Sequence, residues 1–165
     1  VYPPVVSLFF GYRQHPLANP PEGFGFLVPR VEQRRILGSL WNASAYPGRA
    51  PEGGAAFTSF IGGRRQPEIA GWDDDRLVVM VQEELRDLMG IETAPDLVRL
   101  RRWERAIPQY TMGHADVMAQ EDALEQRLPG FYAGGNFRGG ISVGDCVSRA
   151  SEIADRMTAR LPGAG

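Results

Sequence analysis

Apolar segments separated by short proline- and glycine-rich stretches fill the N-terminal part of the chain. Four of them have the length and the β-branched or aromatic content of strands, and they cover residues 5–12, 23–30, 35–41 and 55–63. A charged turn, "VEQR", joins the second and third segments, and the loop "NASAYPGRAPEGG" precedes the fourth. Strands that follow one another through short connections usually pair antiparallel. The pattern therefore predicts an antiparallel sheet.

The spacing of apolar residues becomes helical after Trp72. In "DDDRLVVMVQEELRDLMG" the apolar positions 77, 81, 85 and 88 recur at helical intervals, and Gly90 follows as a stop signal. The three aspartates at 73–75 could form a metal cluster, but a helix cap with acidic first-turn residues fits them better. The sequence thus predicts a capped helix with one core face, and no metal site.

The remaining pattern predicts one more strand of the sheet, two helices and a short terminal strand. Residues 96–103 alternate, with Arg99 and Arg101 opposite the apolar side chains, where they form a solvated face or attract the carboxylates of a ligand. Residues 114–128 read as a helix, and "GFYAGG" as a short strand. The last helix has its predicted inner face at positions 143, 147, 150, 154, 157 and 161. The expected fold class is α+β, an antiparallel sheet with flanking helices and a C-terminal strand-turn-helix.

Composition and charge exclude several classes of function. The 165 residues carry 18 basic and 20 acidic side chains, which gives no electrostatic basis for binding nucleic acid. The single cysteine, Cys146, cannot form an internal disulfide and fits a reducing, cytoplasmic compartment as an inert, buried side chain. No apolar stretch reaches the roughly 18 residues that a membrane span needs.

The segment "AGGNFRGGISVGDC" combines a glycine-rich turn with the start of the last helix. Ser142 occupies the N-cap position and Asp145 follows three residues later, as in a capping box. The amides of the first helical turn, with the positive end of the helix dipole behind them, suit an anion or a cofactor. A tight turn before a capped surface helix explains the same residues. A complete dinucleotide site also needs G-x-G-x-x-G after a strand, and this sequence lacks it.

Taken in order, several motifs resemble the C-terminal part of the protoporphyrinogen oxidase family, which belongs to the flavin amine oxidase superfamily. The motifs are "GFGFLVPR", "ILGSLW", "YPGRAPEG", "FIGG", "AIPQYTMGH" and "GGNFRGGISVGDC", and they extend over essentially the whole chain. Members of that family are longer and carry the dinucleotide-binding sequence near their N-terminus. We therefore expect a C-terminal fragment without the N-terminal dinucleotide-binding half, and without activity by itself.

The resemblance implies an FAD enzyme that oxidises a porphyrinogen with oxygen, peripherally at a membrane surface. It implies flavin contacts from Ile141, Ser142 and Val143, and from Gly135 and Asn136 beside the ribityl-pyrophosphate part of FAD. Residues 1–130 would be part of the substrate-binding domain, and residues 131–165 the C-terminal element of the FAD-binding domain.

Other positions have weaker links to the same family. Trp103 either forms a wall of the flavin pocket or packs in the core. Ala45, Phe57 and Ser59 would line the porphyrinogen pocket if their strand face points that way. The resemblance identifies no catalytic base and does not indicate the oligomeric state.

Two alternative functions remain at this point. The same chemistry would serve coproporphyrinogen III, giving coproporphyrin III, and the two substrates differ in the number of propionates, hence in the polarity of the pocket they need. A non-catalytic module that binds a tetrapyrrole or a protein would retain the fold without redox chemistry.

Overall fold

The structure of the chain, a computed structural model, describes residues 1–160. These residues belong to two compact units. One is built from Pro3–Ala106, and the other from Val1–Tyr2 together with the chain from Ile107 onward.

The unit Pro3–Ala106 is organised around a five-stranded sheet in which every neighbouring pair is antiparallel. Its strands are β1 (Val5–Tyr12), β2 (Gly25–Leu27), β3 (Ile36–Trp41), β4 (Ala55–Gly62) and β5 (Leu97–Trp103). The order in the sheet is β2-β3-β4-β1-β5, so the first strand along the chain lies between the last two. The predicted antiparallel sheet is confirmed, although β2 is shorter than the segment 23–30.

One face of this sheet is packed against the helix α2 (Asp74–Met89). Alternate residues of β1 and β4 point into this core, and residues such as Phe10 and Phe57 face each other across the strand pair. The helix contributes Leu77, Val81 and Leu85 as expected. Met80 is also buried, whereas Leu88 is 39% exposed, so the core face of α2 is centred slightly away from the predicted stripe.

The start and end of α2 follow the sequence signals. Asp73 is the N-cap, and its side chain accepts the Arg76 amide proton at 2.8 Å. Asp74 forms an ion pair with Arg102 of β5. Gly90 ends the helix with φ of 74°, a left-handed conformation that glycine adopts without strain. The interpretation of the aspartates as a cap is confirmed.

The second unit contains the helices α3 (His114–Arg127) and α4 (Val143–Thr158), joined by a long irregular segment. The expected strand in "GFYAGG" is absent, which corrects the predicted strand-turn-helix. A strand exists only where a neighbour pairs with its amides and carbonyls. In residues 1–160 no other strand pairs with this segment.

The inner face predicted for α4 is also wrong for this chain. Val143, Val147 and Met157 are 82%, 61% and 49% exposed, and the half-buried side of α4 carries Cys146, Arg149 and Ile153 instead. Position 161 lies outside the described residues. The helix α4 does carry an apolar stripe along one side, but none of residues 1–160 covers that side.

Two smaller features differ from the sequence pattern. The loop after β3 begins with a single helical turn, α1 (Asn42–Ala45), and the charged turn before β3 contains a short 3-10 helix at Arg30–Glu32.

Within the described part of the chain, no helix has both the length and the apolar character required to cross a bilayer.

Candidate functional site

The N-terminus of α4 is held by a reciprocal capping box. The Ser142 hydroxyl oxygen accepts the Asp145 amide proton at 3.0 Å, and the Asp145 carboxylate accepts the Ser142 amide proton at 3.0 Å. The Ser142 hydroxyl also donates to this carboxylate at 2.7 Å. These hydrogen bonds from the side chain and backbone of Ser142 hold the pKa of Asp145 below its usual value. The capping predicted from sequence is confirmed.

The capping box leaves part of the helix start open. Within residues 1–160, the amides of Val143 and Gly144 have no hydrogen-bond acceptor, and both residues are exposed. Two free N–H donors at the positive end of a helix dipole can bind an anionic or acceptor-rich group. The side chain of Ile141, 49% exposed, adds an apolar surface just before the helix.

The side chain of Tyr110 connects the loop before α3 to the glycine-rich segment that precedes α4. The Tyr110 hydroxyl donates to the Asn136 carbonyl at 3.1 Å and accepts the Gly140 amide proton at 3.3 Å. The Tyr110 ring stacks on His114, with 4.2 Å between the ring centroids. Tyr110 thus contacts both the glycine-rich segment and the first residue of α3.

The other end of the segment is tied to α3 through Glu125. Its carboxylate accepts the Ala133 amide proton at 2.9 Å and forms ion pairs with Arg138 at 3.3 Å and Arg156 at 2.5 Å. The hydrogen bond from Ala133, followed by the hydrogen bond from Arg156, lowers the pKa of Glu125 below its usual range, against the effect of burial. The carboxylate is therefore ionised at neutral pH.

The flavin-contact residues implied by the resemblance form one continuous part of the second unit. Ile141, Ser142 and Val143 make the exposed start of α4, and the half-buried Gly135 and Asn136 lie in the segment held by Tyr110. Sequence reasoning missed the residues that hold this segment. Tyr110 lies in the quoted motif "AIPQYTMGH", so its signal was present, whereas Glu125 lies in a weakly patterned helix that gave none.

The residues expected to line a substrate pocket do not share one face of the sheet. Phe57 and Ser59 are 2% and 1% exposed on the face that α2 covers, and Ser59 donates a hydrogen bond to Ser39 at 3.2 Å. Ala45 is half-buried in α1, a turn that Thr58 holds on the opposite face through Asn42 at 2.8 Å. The sequence showed that the side chains of β4 alternate between two faces, but not which face is buried. The structure shows that Phe57 and Ser59 lie on the buried face.

Trp103 ends β5 at an edge of the sheet and is 50% exposed. The Arg101 guanidinium lies 5.1 Å from the centroid of its ring. Trp103 therefore does not belong to the buried core of its unit, and half of the indole surface is available to another group. Arg99 and Arg101 are exposed on the same strand, and Val98 and Leu100 are half-buried as predicted.

Comparisons with known proteins agree with the arrangement of these elements. The family model described as flavin-containing amine oxidoreductase matches residues 1–158. Protoporphyrinogen oxidase 2 of Arabidopsis thaliana is 36% identical over 97% of this chain and 32% of its own length. Coproporphyrinogen III oxidase of Bacillus subtilis is 26% identical over 93% of this chain and 33% of its own length.

A solved structure has the same fold. It is a crystal structure described as a protoporphyrinogen oxidase of Exiguobacterium, with a TM-score of 0.78 and 24% identity, covering 95% of this chain and 35% of that one. The chain thus spans about a third of the length of the relatives that it matches. The extent of the family match and the shared fold lead to one conclusion: the chain belongs to the flavin-containing amine oxidoreductases.

Proposed function

We propose that this chain is the C-terminal part of an FAD-dependent enzyme that oxidises protoporphyrinogen IX to protoporphyrin IX with oxygen. The observation that carries the proposal is the open N-terminus of α4, whose free amides at Val143 and Gly144 follow a glycine-rich segment. Relatives named protoporphyrinogen oxidase, 31–36% identical over at least 93% of the chain, support the substrate. We further propose that the protein works peripherally at a membrane surface, which the resemblance supports. The cytoplasmic location is supported by the single cysteine, Cys146, whereas the plant relatives are named chloroplastic or mitochondrial.

The residues of this segment fit a flavin. The flavin ring and the phosphates of FAD present hydrogen-bond acceptors. The open amides of Val143 and Gly144 are donors that have no acceptor within residues 1–160. When bound, the flavin supplies the capacity to take up electrons from the substrate. The dipole of α4 stabilises negative charge next to its N-terminus, and Ile141 gives the ring an apolar neighbour. Gly135 and Asn136 would offer backbone groups to the ribityl-pyrophosphate part. Trp103 lies in the other compact unit, and its contact with the flavin stays a prediction from the resemblance.

We assign residues 1–130 to the substrate-binding domain and residues 131–165 to the C-terminal element of the FAD-binding domain. The exposed apolar stripe of α4 supports the second assignment, because the rest of the FAD-binding domain would bury the stripe. The compact units divide elsewhere, between Ala106 and Ile107, so that α3 belongs to the same unit as α4. The main phosphate-binding turn would come from that part. The 165-residue chain alone is therefore expected to be inactive.

We assign the substrate to the face of the sheet opposite α2. Alternate residues there are half-buried, including Ser7, Phe9 and Phe60, while Arg99 and Arg101 are exposed along β5. Ala45 belongs to the turn held on this face, whereas Phe57 and Ser59 support β4 from the core side. Apolar side chains beside guanidinium groups suit a tetrapyrrole with carboxylate side chains.

A second candidate substrate is coproporphyrinogen III. The relationship to the Bacillus subtilis coproporphyrinogen III oxidase favours it, and this substrate carries more propionates for arginines such as Arg99 and Arg101 to bind. A non-catalytic module that binds a tetrapyrrole or a protein is the third candidate, and it would need no flavin.

The test is a titration of FAD into two proteins. The first is this chain, and the second is a longer protein that contains this chain and also the region of its relatives that this chain does not match. Flavin fluorescence reports binding, and turnover of both porphyrinogens reports the substrate. Tight binding and turnover by the longer protein alone would support the proposal. Porphyrinogen oxidation by the 165-residue chain would contradict the expected inactivity, and absence of flavin binding by both proteins would leave only the non-catalytic module.

A further inference from the structure

The helix α3 buries a charge instead of an apolar face. Among its 14 residues, Glu125 is the one buried side chain, at 7% exposure, while Leu124 is 37% exposed and Val117 is 48% exposed. A buried carboxylate loses the hydration that it has in water, and this loss is large unless partners replace the water. The position of Glu125 therefore requires an explanation beyond helix packing.

The partners of Glu125 come from two parts of the second unit outside α3. Its Oε1 accepts the Ala133 amide proton at 2.9 Å and pairs with Arg138 Nη1 at 3.3 Å, both in the glycine-rich segment. Its Oε2 accepts a proton from Arg156 Nη2 of α4 at 2.5 Å. One carboxylate thus connects α3, the segment before α4, and α4 itself.

Arg138 extends this connection. Its side chain is 11% exposed and also pairs with Glu121 at 3.4 Å and with Asp122 on α3. Its backbone amide donates to the Gly135 carbonyl at 3.1 Å, so the residue that reaches α3 also closes the turn that contains Asn136. A movement of this side chain would move the turn. Fully paired polar networks of this kind specify one geometry more than they add stability.

We propose that Glu125 is a positioning residue for the cofactor: through Ala133, Arg138 and Arg156 it holds residues 133–142 in the one arrangement that presents the Gly135–Asn136 backbone and the open start of α4 to the flavin. This inference rests on the proposed function for the identity of the ligand. The role of Glu125 in ordering the segment can be measured without any ligand. The low pKa of Glu125 agrees with a carboxylate that stays charged in this role.

The experiment compares Glu125→Gln and Glu125→Ala with Glu152→Gln in the 165-residue chain, by amide hydrogen exchange. Glutamine keeps an acceptor for Ala133 and loses the charge that Arg138 and Arg156 need, whereas alanine loses both. Glu152 is the matched control, since its carboxylate is 62% exposed and pairs with Arg149 on the same helix at 3.0 Å. Each variant is compared segment by segment with the wild-type chain.

We expect Glu125→Gln to accelerate exchange in residues 133–142 about tenfold, the effect of losing roughly one charged hydrogen bond, and Glu125→Ala to accelerate it further. Glu152→Gln should change these rates by less than about twofold, as for an exposed ion pair. Unchanged exchange in residues 133–142 would overturn the inference. Equal acceleration along α3, the segment and α4 would also overturn it, since that result describes a general loss of stability.

The same substitutions in the longer protein test the connection to the cofactor. Weaker FAD binding and an altered circular dichroism of the bound flavin in Glu125→Gln, but not in Glu152→Gln, would support the inference. Normal FAD binding and an unchanged flavin spectrum in Glu125→Gln would overturn it. A wild-type longer protein that binds no flavin would contradict the proposed function, and the exchange result would still decide whether Glu125 orders the segment.

Discussion

At the scale of single residues, the start of α4 depends on the absence of a side chain at residue 140. Gly140 has φ of 138°, and a Cβ atom there would lie 2.3 Å from Cγ of Asp145. The carboxylate that caps the helix therefore occupies the space of the missing side chain. Glycine at this position lets the segment and the capping box coexist.

We predict that Gly140→Ala destabilises α4 because the new methyl group displaces the Asp145 carboxylate. The loss of a cap costs about 1 kcal/mol, and the unfavourable φ adds to it. Chemical denaturation of the 165-residue chain, with hydrogen exchange of the first turn of α4, measures the effect.

Gly139→Ala is the control for this prediction. Gly139 has φ of 84°, and a Cβ atom there would have no neighbour within 4 Å, so this variant carries the strain of the backbone without the clash. Equal losses of stability in both variants would show that the contact with Asp145 does not matter.

Tyr12 makes the unit Pro3–Ala106 sensitive to alkaline pH. The residue is 3% exposed, and burial raises the pKa of its hydroxyl from 10.0 to about 12. Above pH 10 the unfolded chain loses this proton while the folded chain keeps it. The free energy of unfolding therefore falls as the pH rises from 10 towards 12, by at most about 1.4 kcal/mol per pH unit.

The measurement for Tyr12 is denaturant unfolding of the wild-type chain and Tyr12→Phe at several pH values from neutral upward. Phenylalanine cannot ionise, so the stability of the wild type relative to the variant should fall above pH 10. A constant difference between the two proteins across this range would mean that Tyr12 does not control the alkaline response.

At the scale of elements, α4 has two sides that carry apolar residues, and only one of these sides is partly buried. Ile153 is half-buried, and its Cδ1 lies 2.7 Å from the place of a Cβ atom at Gly134, so this side packs against the glycine-rich segment. The other side, with Val143, Val147 and Met157, faces solvent. The strongest apolar periodicity of the helix therefore lies on the side that the described residues leave uncovered.

We predict opposite results for substitutions on the two sides of α4. Val147→Gln should change the stability of the 165-residue chain by less than about 0.5 kcal/mol, as at most exposed positions. Ile153→Gln should cost about 1–2 kcal/mol, because it removes buried apolar area and inserts an amide. Denaturant unfolding of the chain measures both.

The longer protein gives a second comparison for Val147. There, Val147→Gln should be destabilising if the rest of the FAD-binding domain covers the stripe. A large loss of stability from Val147→Gln already in the 165-residue chain would contradict the exposed position of that side chain.

At the scale of the whole molecule, the two compact units divide the candidate functions between them. The sheet unit offers a face with apolar and basic residues, and the unit of α3 and α4 offers the start of a capped helix beside a held segment. Because the chain spans about a third of its relatives' length, we propose that each of these features is one part of a larger site. The proposed function needs the remainder to complete both.

The sequence alone determined the features that depend on short-range physics. Alternation and turn residues located the strands, and Asp73, Gly90 and Ser142 marked helix ends, because caps and turns involve neighbours within a few residues. The motifs from "GFGFLVPR" to "GGNFRGGISVGDC" also identified the family, since they preserve the order of those elements.

Only the tertiary structure decided the features that depend on distant partners. The strand order placed β1 between β4 and β5, and the position of α2 set the inward face of Phe57 and Ser59. The expected strand in "GFYAGG" and the inner face of α4 failed for the same reason: strands and apolar stripes need partners, and periodicity does not say whether a partner is near. Glu125 gave no signal because a buried charge is stabilised by residues far along the chain, here Arg138 and Arg156.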